Sequence, residues 1–152
     1  MIPDKVRSIL EQHNLKAIEF EPGSTPTAVM AAQKLGVEVG NIAKSLLFVA
    51  KDGRRFLVVC PGDRRVANNK LKAEIGVKTR MADAEQTLAA TGFQPGGVCP
   101  FGVQGIEILL DEALKSYDTI YPAAGTDSSG VPMSFEQLLR ISGGRICDCT
   151  AD

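Results

Sequence analysis

The chain has 152 residues, enough for one domain, with 44% hydrophobic and 23% charged residues and a formal net charge of −1. This balance is ordinary for a soluble globular protein and argues against one that coats nucleic acid non-specifically, where phosphate neutralisation supplies most of the affinity. The longest apolar runs, LLFVA and FLVVC, are too short to span a bilayer, so no membrane partner is expected.

Taken in chain order, DKVRSILEQHN (4–14) places Val6, Ile9 and Leu10 at helical spacing, with Asp4 as the expected N-cap. KAIEF (16–20) alternates and reads as a strand, followed by the turn EPGSTP. Pro26 is expected as the first residue of a second helix, capped by Thr25 or Ser24 and ended by Gly36. VGNIA reads as a loop. SLLFVA and FLVVC read as two buried strands, joined at KDGRR by an Asp-Gly hairpin turn and stopped at Pro61 and Gly62.

ANNKLKAEI is helical and ends at Gly76, and VKTRMA is a short strand. DAEQTLAATG is a helix between an Asp83 cap and a Gly92 stop. IEILLD and TIYPAA follow as strands, SFEQLLRIS as a helix capped by Ser134, and RICDC as a closing strand. Strands and helices are interleaved, but the hairpin is antiparallel. The pattern therefore predicts a single α/β (mixed α+β) domain over 1–152, with a mixed sheet and packed helices rather than a doubly wound parallel sheet.

Several chemistries are missing. The one histidine, His13, falls near the end of the first helix, so Ser-His-Asp, Cys-His and HExxH sites would all depend on it. No Walker loop, strand-borne GxGxxG or four-ligand metal spacing occurs, so neither a metal nor another cofactor is expected. The N-terminus carries charges throughout without an apolar signal core, which reads as cytoplasmic. In that compartment Cys60, Cys99, Cys147 and Cys149 read as free thiols. Cys147 and Cys149 form a CxC pair that would share a strand face, but two ligands do not make a zinc site.

Three places remain where a ligand could be held. Lys44 heads the first long apolar strand. It is either a strand-end charge whose stem reaches water or an ammonium aimed into a cleft to hold a phosphate or carboxylate. GGVCPFG (96–102) could let a ligand approach its main chain, with successive N–H groups forming a nest for an oxyanion. A nucleophilic Cys99 would need a base or cation beside it, and the local sequence offers no histidine. AAGTDSSGVP (123–132) is a polar turn, or a wall of the same cleft supplying Thr126, Asp127, Ser128 and Ser129. Separately, RRVANNKLKAEIGVKTR (64–80) holds six basic residues against Glu74. It is either a solvated face or a docking patch for a phosphate backbone, led by Arg64, Arg65, Lys70 and Lys72.

In the order and spacing of TAVMAAQKLGVEVGNIAKSLLF, FLVVCPGDRRVANNKLKAEIG, TGFQPGGVCPFG and TIYPAAG, the chain resembles the YbaK/prolyl-tRNA synthetase-associated editing-domain family over nearly its whole length. The resemblance implies a mixed, partly barrel-like sheet with surrounding helices and a trans-acting hydrolase of mischarged aminoacyl-tRNA. Mischarged tRNA is then the partner, with an aminoacyl-tRNA synthetase as a second one. The family's lysine corresponds to Lys44 and its GxxxP loop to Gly96, Gly97, Val98, Cys99 and Pro100. In the family this loop's backbone surrounds the ester, the lysine holds the phosphate end of the terminal adenosine, and a ribose hydroxyl assists the attacking water.

By position, the amino-acid pocket would draw on Phe20, Thr27, Ala28 and Met30, and on Gly125, Thr126, Ser129 and Met133 from the late segment. Members that remove cysteine from proline tRNA commonly carry a Gly-Lys-Arg-Gly loop with an acidic residue soon after. Here the loop is GTDSSG followed by Val131 and Pro132, which leaves cysteine, alanine and serine equally open. Two other readings are a non-catalytic binding module for an aminoacyl or nucleotide ligand and a cysteine-based thiol hydrolase.

Overall fold

The computed structural model describes residues 2–152. Helix α1 (Asp4–Gln12) is followed by the short strand β1 (Ile18–Glu19) and helix α2 (Ala28–Leu35). A 3-10 turn leads into the hairpin strands β2 (Ile42–Ala50) and β3 (Arg55–Pro61), then β4 (Arg65–Val66), α3 (Asn68–Ile75), β5 (Thr79–Met81) and α4 (Ala84–Thr91). The second half holds β6 (Glu107–Asp111), β7 (Tyr121–Pro122), β8 (Ser129–Gly130), α5 (Phe135–Ser142), β9 (Arg145–Cys147) and β10 (Thr150–Ala151).

Local chemistry sets most of these boundaries. Asp83 and Ser134 cap α4 and α5 through capping boxes with Gln86 and Gln137, each satisfying two N–H groups that the helix cannot. Helices α2 to α5 end on glycines in the left-handed conformation, Gly36, Gly76, Gly92 and Gly143. Two starts differ from the sequence expectation. Pro3, not Asp4, is the N-cap of α1, and Asp4 sits in the first turn, where its charge meets the positive helix end. The cap of α2 is Thr27, whose side chain accepts the Met30 N–H at 3.2 Å. Pro26 stays outside that helix, because the Thr25 hydroxyl donates instead to the Asp127 carbonyl at 2.7 Å, across the fold.

The main sheet is mixed, with order β5-β2-β3-β6-β9 and β7 also on β2. β2 runs antiparallel to β3 over Ala43–Val49, while β6 and β9 are added in parallel. β5 and β7 share the remaining edge of β2: β5 pairs with Phe48–Ala50, and β7 with Ile42 and Ala43. Among the described residues the sheet stays open, since β5 and β9 end it without pairing to each other, and no closed barrel forms.

Several expected strands are shorter than their patterns suggested, among them VKTRMA, which pairs only over Thr79–Met81. TIYPAA joins the main sheet only at Tyr121 and Pro122, with an isolated antiparallel bridge from Ile120 to Met133, and KAIEF pairs only at Ile18 and Glu19, against β8. RICDC is interrupted after Cys147, and the chain leaves β6 so that β10 can pair with β4.

The alternation of β2, β3 and β6 builds two cores. Ala43, Leu47, Leu57, Val59 and Leu110 face the larger one, under α1, α5 and the 93–101 segment. Phe48, Phe56, Val58 and Leu109 face the smaller one, covered by Leu71 of α3. Among the described residues, no helix is long and apolar enough to cross a membrane.

Leu57 is fully buried in β3, between β2 and β6. Leu57→Ala is expected to lower unfolding stability by about 2–5 kcal/mol, read as a lower urea midpoint with an unchanged slope.

Candidate active site

A cleft of about 200 Å³ opens where the edge of β2 is not covered. β7 occupies that edge up to Ala43 and β5 begins at Phe48, so Lys44, Ser45 and Leu46 line the gap between them. Its opposite wall is α2, through Ala28, Ala31 and Leu35, which share one helix face at spacings of three and seven. Met30 lies off that face, 39% exposed, and does not line the cleft. Thr27 lines its rim, with its hydroxyl already engaged in the helix cap.

The floor is formed where three loops meet. Gly96 has φ +89°, and a Cβ there would come within 3.1 Å of the Pro26 carbonyl and 3.2 Å of Asp127 Cβ. A Cβ on Gly97 would lie 2.9 Å from the main chain of Thr126, a distance real side chains do not tolerate. Glycine is therefore required here for close packing: the 96–97 turn is wedged between the segment before α2 and the loop before β8. That last loop is fixed from within. Ser129 Oγ accepts from the Ala124 N–H at 3.0 Å and the Thr126 hydroxyl at 2.9 Å, and donates to the Thr126 carbonyl at 3.2 Å.

The Gly97 N–H is engaged with the Gln94 carbonyl at 2.9 Å. Gly96 and Val98 are the residues of the loop that reach the cleft. Cys99 is fully buried behind them, and burial pushes its thiol up to about 12, so it is protonated at neutral pH. Pro100 is likewise buried and off the cleft.

Lys44 is half-buried, and its ammonium makes one long contact, 3.5 Å, to the Gly62 carbonyl. Among the described residues no carboxylate pairs with it, which leaves a fixed positive charge at the cleft. Its neighbour Ser45 is 8% exposed, and the buried Oγ has no hydrogen-bond partner. An unpaired buried hydroxyl costs stability unless something satisfies it, and its place in a cleft wall leaves it free to bond a group entering the cleft.

Of the residues singled out in the sequence, the fold brings Lys44, Gly96, Val98, Thr27, Ala28 and Ser129 to one cleft. Gly97, Gly125 and Thr126 support it from behind, with Gly125 packed against Pro3 and Phe93. Phe20 follows β1, its N–H bonded to the Ser128 carbonyl, and Met133 is buried in the larger core; neither lines the cleft. Thr25, Ser45 and Tyr121 line it without having been singled out. Ser45 carried a signal, a hydroxyl interrupting the apolar run of IAKSLLFVA.

The basic segment divides. Arg64 is held by Thr150 and by Asp152 at 2.7 Å, and Lys70 by Asp148 at 3.2 Å and the Thr150 carbonyl. Arg65 and Lys72 form no ion pair among the described residues and are exposed. Lys72, with Lys51, Lys78 and Arg80, lines two adjoining grooves beyond the far end of β2, the larger of about 500 Å³.

Residues 22–141 match the model of the aminoacyl-tRNA editing domain. The chain is 36% identical over 129 residues to YwhH of Bacillus subtilis, an uncharacterised protein, covering 84% of this chain and 82% of that one. It is 28% identical to EbsC of Enterococcus faecalis, a candidate Cys-tRNA(Pro)/Cys-tRNA(Cys) deacylase, over 93% and 90% of the two chains. A crystal structure of a candidate trans-editing enzyme for prolyl-tRNA synthetase superposes with a TM-score of 0.89 at 33% identity over the full length of both. Of the proline–tRNA ligases it also matches, the chain spans about a fifth. With its three glycine-packed loops and its unpaired lysine on a split strand edge, the chain belongs to the aminoacyl-tRNA editing domain family.

Proposed function

We propose that this protein is a trans-acting hydrolase, acting in the cytoplasm, that cleaves the ester bond of mischarged aminoacyl-tRNA carrying a small amino acid, with proline tRNA as the first substrate to examine. The observation that carries the reading is an unpaired lysine beside a small, glycine-floored cleft that contains no histidine, acidic pair or ionisable thiol. A cleft of about 200 Å³ falls below the roughly 300–1,000 Å³ of drug-sized sites. It suits an aminoacyl group such as alanyl, seryl or cysteinyl.

In this reading the ester lies against the main chain of Gly96 and Val98. Lys44 holds the phosphate of the terminal adenosine as a point charge. The Ser45 hydroxyl is the hydrogen-bonding group offered to the aminoacyl moiety. Water attacks the carbonyl carbon, the bond to the ribose oxygen breaks, and that oxygen takes the proton, giving a free amino acid and an uncharged tRNA end. No side chain in the cleft is suited to act as general base, so a ribose hydroxyl of the substrate orients the water. The protein contributes position and electrostatics. A pocket separates substrates differing by one methylene by only about 1–3 kcal/mol, so the Ala28, Ala31 and Tyr121 wall sets a preference rather than an absolute choice.

Docking of the tRNA body is assigned to the exposed cations with no acid on them. Arg65 and Lys72 belong to the expected segment. Lys51, Lys78 and Arg80 extend the surface to the hairpin end, whereas Arg64 and Lys70 are occupied by the chain's own acids. A synthetase would add affinity that a chain of net charge −1 lacks by itself.

On a panel of mischarged tRNAs, at least one small aminoacyl ester is expected to be hydrolysed. Lys44→Ala should lower kcat/KM by about 100-fold. Cys99→Ala and treatment with a thiol-alkylating reagent should leave the rate within a few-fold of wild type. A silent panel, combined with binding of a non-hydrolysable aminoacyl-adenosine analogue, would make the protein a binding module instead.

Gly97→Ala should reduce activity as strongly as loss of Lys44, because its methyl displaces the Thr126 main chain; circular dichroism should show the sheet intact. Lys51→Glu with Lys78→Glu should raise KM for tRNA and flatten its salt dependence by about one to two units of slope. The kcat should hold, and a short aminoacylated acceptor-end fragment should be cleaved normally.

A further inference from the structure

On the face of the sheet that carries the smaller core, four strands place Cys60, Asp111 and Cys147 in one row that begins at the cleft residue Lys44. Lys44 is opposite Cys60 in the β2–β3 register, and Asp111 is opposite Cys147 in the β6–β9 register. Cys60 comes beside Asp111 one step beyond the Val59–Leu110 pair. Paired residues of neighbouring strands point to the same face, so the two thiols flank the carboxylate. The break after β9 then folds Cys149 back over the row. Its N–H donates to Asp111 Oδ1 at 3.0 Å, its Sγ lies 3.6 Å from the same oxygen, and Cys147 Sγ is 3.0 Å from Cys149 Sγ. One donor atom each from Asp111, Cys147 and Cys149 falls within 4.8 Å of the others.

We propose that Cys147, Cys149 and Asp111, gathered as they stand, form, with a small inward shift of the Cys60 side chain from the adjoining strand, a structural binding site for a thiophilic divalent cation, zinc by donor chemistry. Two sulfurs and one carboxylate oxygen supply three ligands as they stand, and the Cys60 sulfur, on the strand beside Asp111, would complete a tetrahedral closed site; thiolate-rich sets select zinc over magnesium or calcium. The residues are buried, at 0% exposure for Cys60 and Cys149, 1% for Asp111 and 3% for Cys147, so no water competes for the position.

The surroundings match what a bound metal requires of its outer contacts. Asp111 Oδ2 accepts from the Thr150 hydroxyl at 2.8 Å and the Ala113 N–H at 3.2 Å, which fixes the carboxylate and turns Oδ1 toward the sulfurs. Arg64 Nε donates to Thr150 Oγ1 at 2.7 Å and brings a positive charge to this shell. On binding, the thiol protons leave to solvent, the sulfurs and Oδ1 become ligands, and the Cys149 Sγ–Oδ1 hydrogen bond is replaced by shared coordination. No electron is transferred. The ion would fasten the 147–150 crossing to β3 and β6, and through it the β10–β4 ribbon. None of these four residues lines the cleft, so the site is independent of the editing reading.

The test uses the full chain, purified under reducing conditions. Elemental analysis should find zinc in a one-to-one ratio to protein, and a chelator should remove it with a fall in melting temperature. Titration of the apoprotein with cobalt(II) should give an intense near-ultraviolet thiolate-to-cobalt band that saturates at one equivalent. Cys149→Ser should abolish the band, and Thr150→Val should weaken zinc binding by about 10–100-fold. A reduced wild-type protein that retains no zinc and gives no such band overturns the proposal. So does intact-protein mass showing Cys147 and Cys149 joined as a metal-free disulfide. The wild-type cobalt spectrum decides the matter even where a variant fails to fold.

Discussion

The arrangement of this protein follows from how the free edge of β2 is divided. A nine-residue strand presents one row of main-chain groups to β3 and another to the opposite side, and β5 and β7 each cover only one end of the second row. Had either strand run further, the edge would have closed and Lys44 to Leu46 would face a neighbouring strand. The partial cover places a lysine, a buried hydroxyl and an apolar side chain on a rigid element at the mouth of a cleft, where rotamers are held by the sheet. The aggregation risk of an unpaired edge is limited here to a few residues and masked by α2 and the loops.

Closing the cleft from the other side requires three loops to approach more closely than side chains allow, and Gly96 and Gly97 make this possible. The same packing excludes Cys99 from chemistry, because a loop pressed that tightly buries its next residues in the larger core. In the proposed reading, shape and charge are the means of acting on a substrate, in keeping with a cleft that has no histidine.

Much of the architecture was legible in local pattern. The Asp-Gly turn between SLLFVA and FLVVC specified the hairpin, and Ser134 and Asp83 specified their helices, because turns and caps are decided by a few adjacent residues. The start of α2 was misplaced since Ser24, Thr25 and Thr27 are equivalent caps in sequence, and only a partner 102 residues away engages the Thr25 hydroxyl. Met30 was offered for the pocket because its neighbours are there, but helical rotation carries it to the outside. The grouping of Cys60, Asp111 and Cys147 was illegible for a similar reason: parallel pairing joins segments with no sequence proximity. The resemblance supplied the residues of the glycine loop but not which of its N–H groups is already engaged.

The hairpin and the cleft also differ in how far apart their contacting residues lie along the chain. β2 and β3 meet across a turn of a few residues, while a contact in the cleft's floor joins Thr25 to Asp127. Local pairs form quickly, and distant ones follow only after much of the chain has been ordered. The hairpin is thus suited to nucleate folding, and the cleft is assembled late. The reverse order governs breathing in the folded protein: the loops around the cleft can detach in a sub-global opening while β2 and β3 stay paired, and amide protons there should exchange well before those of the central strands.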